Sequence, residues 1–189
     1  MYEVEMKVPV GADVRERLRA IGADPIERVH QVDDYYDAPH RDFATTDEAL
    51  RIRHERIEAP DDRRDADDLH DGERLRLTYK GPKIDAASKT RAEHELAIDD
   101  AATARALLEA MGFERAATVE KQRQRFQIGE TIATVDDVAE LDTYLELERE
   151  VDREDAIDSA RDALEDTLAD LDLDPDDQIR TSYLGLLLD

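Results

Sequence analysis

The chain opens with MYEVEMKVPV, and the period-two alternation of charged and apolar side chains in that stretch returns along most of its length. Glu3, Glu5 and Lys7 alternate with Val4, Met6 and Val8; Arg51 and Arg53 flank Ile52; Arg74, Arg76, Thr78 and Lys80 alternate with Leu75, Leu77 and Tyr79. The pattern continues through Arg91, Glu93 and Glu95, through Lys121, Arg123 and Arg125, through Thr134 and Asp136, and through Glu146 and Glu148. Successive side chains of a strand point to opposite faces, so each segment has one apolar and one charged face. Strands buried on both faces read as continuous apolar runs, so a chain patterned this way is directed to antiparallel sheet. The alternation leaves open which face is inside.

Three stretches have the other period. DVRERLRAIG (13–22) carries Val14, Leu18 and Ile21 at helical spacing and stops at Gly22, and residues 100–112 carry Leu107, Leu108 and Met111 and stop at Gly112. Ile157, Ala160, Leu164, Leu168 and Leu171 mark a helix near 154–171, which Asp174-Pro175 breaks. The apolar faces of these helices need an apolar surface to cover, and the strands offer one. The helices therefore belong on the apolar side of the sheet, and the charges are on the other side. A sheet of about eight strands tends to curl and close around one face. The expected fold is α+β: an eight-stranded antiparallel β-barrel, or tunnel, with helices packed outside. The final RTSYLGLLL reads as a short apolar segment on the outside of the sheet.

Sliding the sequence by 90 residues places Glu3 and Glu5 on Glu93 and Glu95, LRAIG (18–22) on LEAMG (108–112), Val29 on Val119 and Tyr36 on Phe126. One common offset points to an internal duplication. The expectation is a single domain over 1–189 built from two similar β-α-β-β-β halves, about 1–90 and 91–189. The acidic stretch EAPDDRRDADDLHDG (58–72) has no periodicity and reads as an exposed loop.

The 50 Asp plus Glu against 26 Lys plus Arg give a net charge of −24, which repels nucleic acid and anionic membranes at long range. Neither is an expected partner; a homodimer is compatible with the pattern. Only five basic residues are Lys, an Arg excess that resembles proteins of extreme halophiles, whose salt-rich cytosol would screen so acidic a surface. Three of those five, Lys7, Lys80 and Lys121, fall on the charged strand faces. A solvated acidic surface has no use for that concentration of cations, whereas an enclosed face meeting a polyanion does.

No cysteine is present, so any metal would be held by oxygen or His, and His30, His40, His54, His70 and His94 are dispersed without ligand spacing. With no leader-like N-terminus and no apolar run near the ~18 residues of a membrane span, a cytoplasmic protein is expected. Carboxylates two residues apart on a strand point the same way, so Glu3 with Glu5 and Glu146 with Glu148 could converge as hard oxygen ligands for Mg²⁺ or Mn²⁺, and Asp136 could add another oxygen. Arg and Lys beside them supply charge-assisted hydrogen bonds to phosphate. That combination suits a polyphosphate chain, where positioning and charge neutralisation do most of the catalysis.

In these residues the chain resembles the CYTH domains, or triphosphate tunnel metalloenzymes, which include class IV adenylyl cyclases and thiamine triphosphatases. The Glu-x-Glu-x-Lys motif of Glu3, Glu5 and Lys7 is followed in order by ALRIR (49–53), LTYKGP (77–82), RAEHE (91–95), KQRQRF (121–126) and TVDDVAELDTYLELE (134–148). The resemblance implies an eight-stranded antiparallel tunnel with outer helices. It implies divalent cations on Glu3, Glu5, Glu146 and Glu148, with Asp136 as a ligand or a base, and a triphosphate held by Lys7, Arg51, Arg53, Lys80, Lys121 and Arg123. Catalytic roles would fall to Asp136, Lys7 and Arg123, while Arg76, Arg91, Arg125, Glu93 and Glu95 share the face. Asp142 stands where related cyclase-like sequences have Gly, so that turn is expected to differ. QVDDYYD (31–37), TVDDV (134–138) and SYLGLLL (182–188) resemble the class IV cyclase branch. That branch implies ATP to cyclic AMP and pyrophosphate, by attack of the ribose 3′-oxygen on the α-phosphorus. An inorganic or thiamine-type triphosphatase would use the same side chains. A non-catalytic polyphosphate- or nucleotide-binding module would not need the carboxylates, and a structural β-protein would have its charged face in water.

Overall fold

The structure is a computed structural model that describes residues 2–58, 72–82 and 92–188, the Glu3 side chain apart. Arg91 and most of the acidic stretch 58–72 lie outside the described residues. The elements run β1 (Tyr2–Pro9), α1 (Val14–Ala20), β2 (Asp24–Asp37), α2 (Phe43–Thr46), β3 (Ala49–Glu58), β4 (Glu73–Lys80), β5 (Glu93–Ala97), α3 (Ala101–Ala110), β6 (Glu114–Ile128), β7 (Thr131–Val138), β8 (Thr143–Val151), α4 (Ile157–Asp170) and α5 (Tyr183–Leu188). Apart from the one-turn α2, each half runs strand, helix and three strands, as the duplication implies. The strands form one eight-stranded antiparallel sheet in the order β1-β8-β7-β6-β2-β3-β4-β5. No pairing between β1 and β5 closes that row among the described residues.

The two halves also match in backbone detail. Helix α1 ends with Gly22 at φ +85°, its N–H bonded to the Arg19 carbonyl and that of Ala23 to the Leu18 carbonyl. Helix α3 ends with Gly112 at φ +87°, its N–H bonded to the Glu109 carbonyl and that of Phe113 to the Leu108 carbonyl. Both are Schellman closures, which need a left-handed residue after the cap, and Gly adopts that conformation without a Cβ penalty. In the turn before β8 the left-handed residue is Glu140 at φ 64°, not Asp142.

Two compact units divide the chain, and they do not coincide with the sequence halves: residues 1–28 join 121–189, and residues 29–120 form the other. In the first unit, Met6 and Val8 of β1, Val14 and Leu18 of α1, and Leu164 and Leu168 of α4 pack with Phe126, Val135, Leu145 and Leu147. In the second, Leu108 of α3 packs with Tyr36, Phe43, Leu50 and Ile52. In both, helices cover the apolar strand faces, and burying side chains of this kind contributes about 1.5–3 kcal/mol each. The alternating charges are therefore on the face that no amphipathic helix among the described residues covers.

Candidate active site

In the first unit, strand register assembles the charged face. Glu5 is directly opposite Glu148 and Lys7 opposite Glu146 between β1 and β8; Thr134 is opposite Glu146 between β7 and β8; Arg123 is opposite Asp136 between β6 and β7. Glu3 is opposite Glu150 in the same register, but its side chain lies outside the described residues. Asp136 is 0% exposed at the centre. Its Oδ1 accepts from Arg123 Nε at 2.7 Å and its Oδ2 from Arg123 Nη2 at 2.6 Å and from Lys121 Nζ at 3.3 Å. Arg123 Nη2 also donates to Glu146 Oε2 at 2.9 Å. Burial alone would raise the Asp136 carboxyl, but Arg123 and Lys121 outweigh it and hold the group well below the usual carboxylate range. Asp136, expected as a metal ligand or a base, thus has both oxygens engaged by cations.

Glu148 is shifted the other way. Burial raises it, Arg123 and Arg125 pull it down, Glu146 and Glu5 push it up, and the balance leaves it above the ordinary Glu value. Opposed carboxylates destabilise a sheet, and a divalent cation between hard oxygen donors would relieve the opposition of Glu5 and Glu148. The donor set fits Mg²⁺ or Mn²⁺ in kind. Among the described residues, no three His, Asp or Glu side chains are gathered as a ready metal-binding group.

The C-terminal segment corrects the sequence reading. Expected on the outside of the sheet, it instead brings Tyr183 to the charged face. Lys7 Nζ lies 4.4 Å and Lys121 Nζ 4.8 Å from the centre of the Tyr183 ring. Lys7 Nζ donates to the Thr181 carbonyl, and the Ile179 N–H donates to the Lys7 carbonyl at 2.7 Å. The Tyr144 ring, on the same strand face, lies 5.3 Å from that of Tyr183. The Tyr183 hydroxyl is buried without a partner of good hydrogen-bond geometry, and burial, Glu146 and Asp136 keep it from ionising. In sequence, SYLGLLL looks uniformly apolar, and that look conceals an aromatic face suited to cations.

In the second unit the cations expected from sequence are Arg51, Arg53 and Lys80. Arg53 Nε and Nη2 donate to the two oxygens of buried Asp33, both at 2.7 Å, and Arg51 Nη1 donates to Asp33 Oδ2 at 3.3 Å. Lys80 pairs with Glu93 at 3.0 Å, and Arg76 with Glu95. Gln31 Nε2 donates to Glu55, so its Oε1, which is buried, is left unpaired. Asp33 and Gln31 were not selected from the sequence, although the spacing of residues 31, 33 and 35 would have placed them on one face. Among the histidines, His94 stacks on Tyr79 with ring planes 3° apart, on the apolar side, as its phase implies.

At the 90-residue offset, Asp33 takes the place of Arg123. The arginine–carboxylate fork is therefore present in both units with its charges exchanged: arginine on β6 and aspartate on β7 in the first, aspartate on β2 and arginine on β3 in the second.

No helix among the described residues is long and apolar enough to cross a membrane. A candidate adenylate cyclase of Methanocaldococcus jannaschii is 36% identical over 188 residues, covering 98% of each chain. A Pyrococcus horikoshii protein of known structure superimposes with a TM-score of 0.83 at 36% identity, covering 99% of this chain and 98% of its own. A candidate adenylyl cyclase of Hippeastrum, described as having a dominant triphosphatase activity, superimposes with a TM-score of 0.65 at 16% identity, covering 98% and 94%. The CYTH domain description matches residues 1–183, and with the alternating faces, the outer helices and the opposed carboxylates it places this chain: it belongs to the CYTH domain family.

Proposed function

We propose that the protein is a divalent-metal-dependent enzyme acting on a triphosphate, of the class IV adenylyl cyclase type, converting ATP to cyclic AMP and pyrophosphate. CYTH triphosphate tunnel enzymes in general are metal-dependent and bind triphosphates. The observation that carries the reading is the opposition of Glu5 and Glu148 beside Lys7, Lys121 and Arg123 on one strand face. Glu3, Glu5, Glu146 and Glu148 are assigned to Mg²⁺ or Mn²⁺, which when bound supplies charge neutralisation at phosphate oxygens. Lys7, Arg51, Arg53, Lys80, Lys121 and Arg123 are assigned to triphosphate binding. Asp136 orients the Arg123 guanidinium and keeps Lys121 beside it; so readily ionised a carboxyl is a weak base. The reaction forms a bond from the ribose 3′-oxygen to the α-phosphorus and breaks the one to the pyrophosphate.

The second reading is a triphosphatase, in which water attacks the chain. The activity ascribed to the Hippeastrum protein favours it, and the same side chains would serve. Incubation with Mg²⁺ or Mn²⁺ in high salt, with ATP or with tripolyphosphate, separates the two by product. Cyclic AMP establishes the cyclase and orthophosphate from tripolyphosphate the triphosphatase; with neither, the enzyme assignment fails and a binding module remains.

A further inference from the structure

Lysine is almost never fully buried unless something pairs with it. Lys7 and Lys121 are 2% and 4% exposed, and both ammonium groups face the same aromatic ring, itself 7% exposed. The two nitrogens are thus no farther apart than their two distances to that ring centre added together, although like charges repel. Three features of one C-terminal segment hold them: the Tyr183 ring, the Thr181 carbonyl that accepts from Lys7, and the Ile179 N–H that fixes the segment to the β1 backbone at Lys7. Asp136 adds a further restraint on Lys121.

From this geometry we infer that Tyr183 is a positioning residue for phosphate binding: its ring holds both the Lys7 and the Lys121 ammonium groups, so that two cations meet one polyphosphate chain without first being collected. The inference rests on the triphosphate reading above. Cation–π attraction to a ring face is strongest where water is excluded, and these ammonium groups are nearly so. Groups already held in the bound arrangement lose little freedom when the ligand arrives. What Tyr183 contributes is therefore affinity for the phosphates, read chiefly in KM, and its ring rather than its hydroxyl is the part that matters.

The test is calorimetric titration of the full chain with tripolyphosphate in chelator, followed by steady-state kinetics with metal restored. Tyr183→Phe keeps the ring and should bind within about twofold of the parent. Tyr183→Leu removes it and should bind at least tenfold more weakly, a loss of about 1.4 kcal/mol, with a matching rise in KM and a smaller change in kcat. Tyr183→Met, which fills much of the same volume without a ring face, replaces the Leu variant if that one does not fold. Binding by the ring-less variant within twofold of the parent overturns the inference, and so does tighter binding, which would mean that the ring competes with phosphate. Equal losses in the Phe and ring-less variants overturn it as well, by moving the effect to the hydroxyl. Failure of the parent to bind tripolyphosphate in chelator would overturn this inference alone; failure with Mg²⁺ or Mn²⁺ restored would remove the triphosphate reading as well.

Discussion

Asp136→Asn tests the architecture of the charged face most directly. The substitution is nearly isosteric, but it removes the negative charge facing Arg123 and Lys121 at a site with no solvent exposure. One of the two short fork contacts, 2.7 and 2.6 Å, must become an amide facing a guanidinium, two donors toward each other. Breaking a buried pair by removing one partner typically costs about 3–5 kcal/mol, a large share of the roughly 5–15 kcal/mol that stabilises a domain. For a chain of this size each kcal/mol moves the midpoint by about 2–4 °C, so calorimetric melting should fall by roughly 10 °C. The loss should persist in molar salt, because screening acts weakly on a pair from which water is excluded. Arg123→Met supplies the other corner of a double-mutant cycle, and the double variant should be destabilised by less than the sum of the single losses. An Asp136→Asn midpoint within 2 °C of the parent, or strict additivity in the cycle, would refute the view that this fork organises the face.

Glu148→Gln should abolish metal-dependent turnover while leaving the melting midpoint unchanged or slightly raised. Relieving a like-charge cross-strand pair is worth about 0.2–1 kcal/mol, so a strongly destabilised variant or retained activity would contradict the metal assignment. Asp100 caps α3, accepting from Thr103 Oγ1 and from the Ala102 and Thr103 amides, and these bonds hold its carboxyl below the usual value of 3.8. A lowered pKa contributes stability that is present above the unfolded value and lost as pH falls through the folded one. The midpoint difference between the parent and Asp100→Ala should therefore be full at pH 6 and shrink steadily below pH 3.8. Gly22→Ala meets no atom within 4 Å, so its cost should be the left-handed strain alone, about 1 kcal/mol. Gly112→Ala adds only contacts of 3.4 Å with Pro39, at the edge of ordinary van der Waals distance, and should melt within about 2 °C of Gly22→Ala; a much lower midpoint would mean that Pro39 cannot give way.

The alternation of the opening residues was enough to separate the two faces, and helical spacing with terminal glycines was enough to place α1 and α3 within a residue or two. Both signals are local, since the strand period and the Schellman closure each involve neighbours only a few positions apart. The register that sets Glu5 against Glu148 is not local, and the sequence could offer it only through resemblance. Asp33 was missed for a related reason: QVDDYYD contains two adjacent aspartates, and composition does not reveal that Asp33 meets Arg53 while Asp34 turns to Arg105. Tyr183 escaped because an apolar-looking tail normally belongs against an apolar surface, and hydropathy takes no account of the attraction between an aromatic face and an ammonium group.

The interleaving of the two units also sets an order of events during synthesis. Residues 29–120 are continuous and contain their own apolar core, so that unit is complete while the ribosome is still producing its neighbour. The other unit includes β1, which is translated before residues 29–120, and must wait for β8, whose Val151 pairs with Tyr2. At about 5–20 residues per second the interval is roughly seven to thirty seconds. Throughout it, β1 is an exposed strand with Val4, Met6 and Val8 along one side. Charged side chains blunt such an edge against pairing with other nascent chains. Glu3, Glu5 and Lys7 would then guard the growing chain against aggregation before any triphosphate is bound.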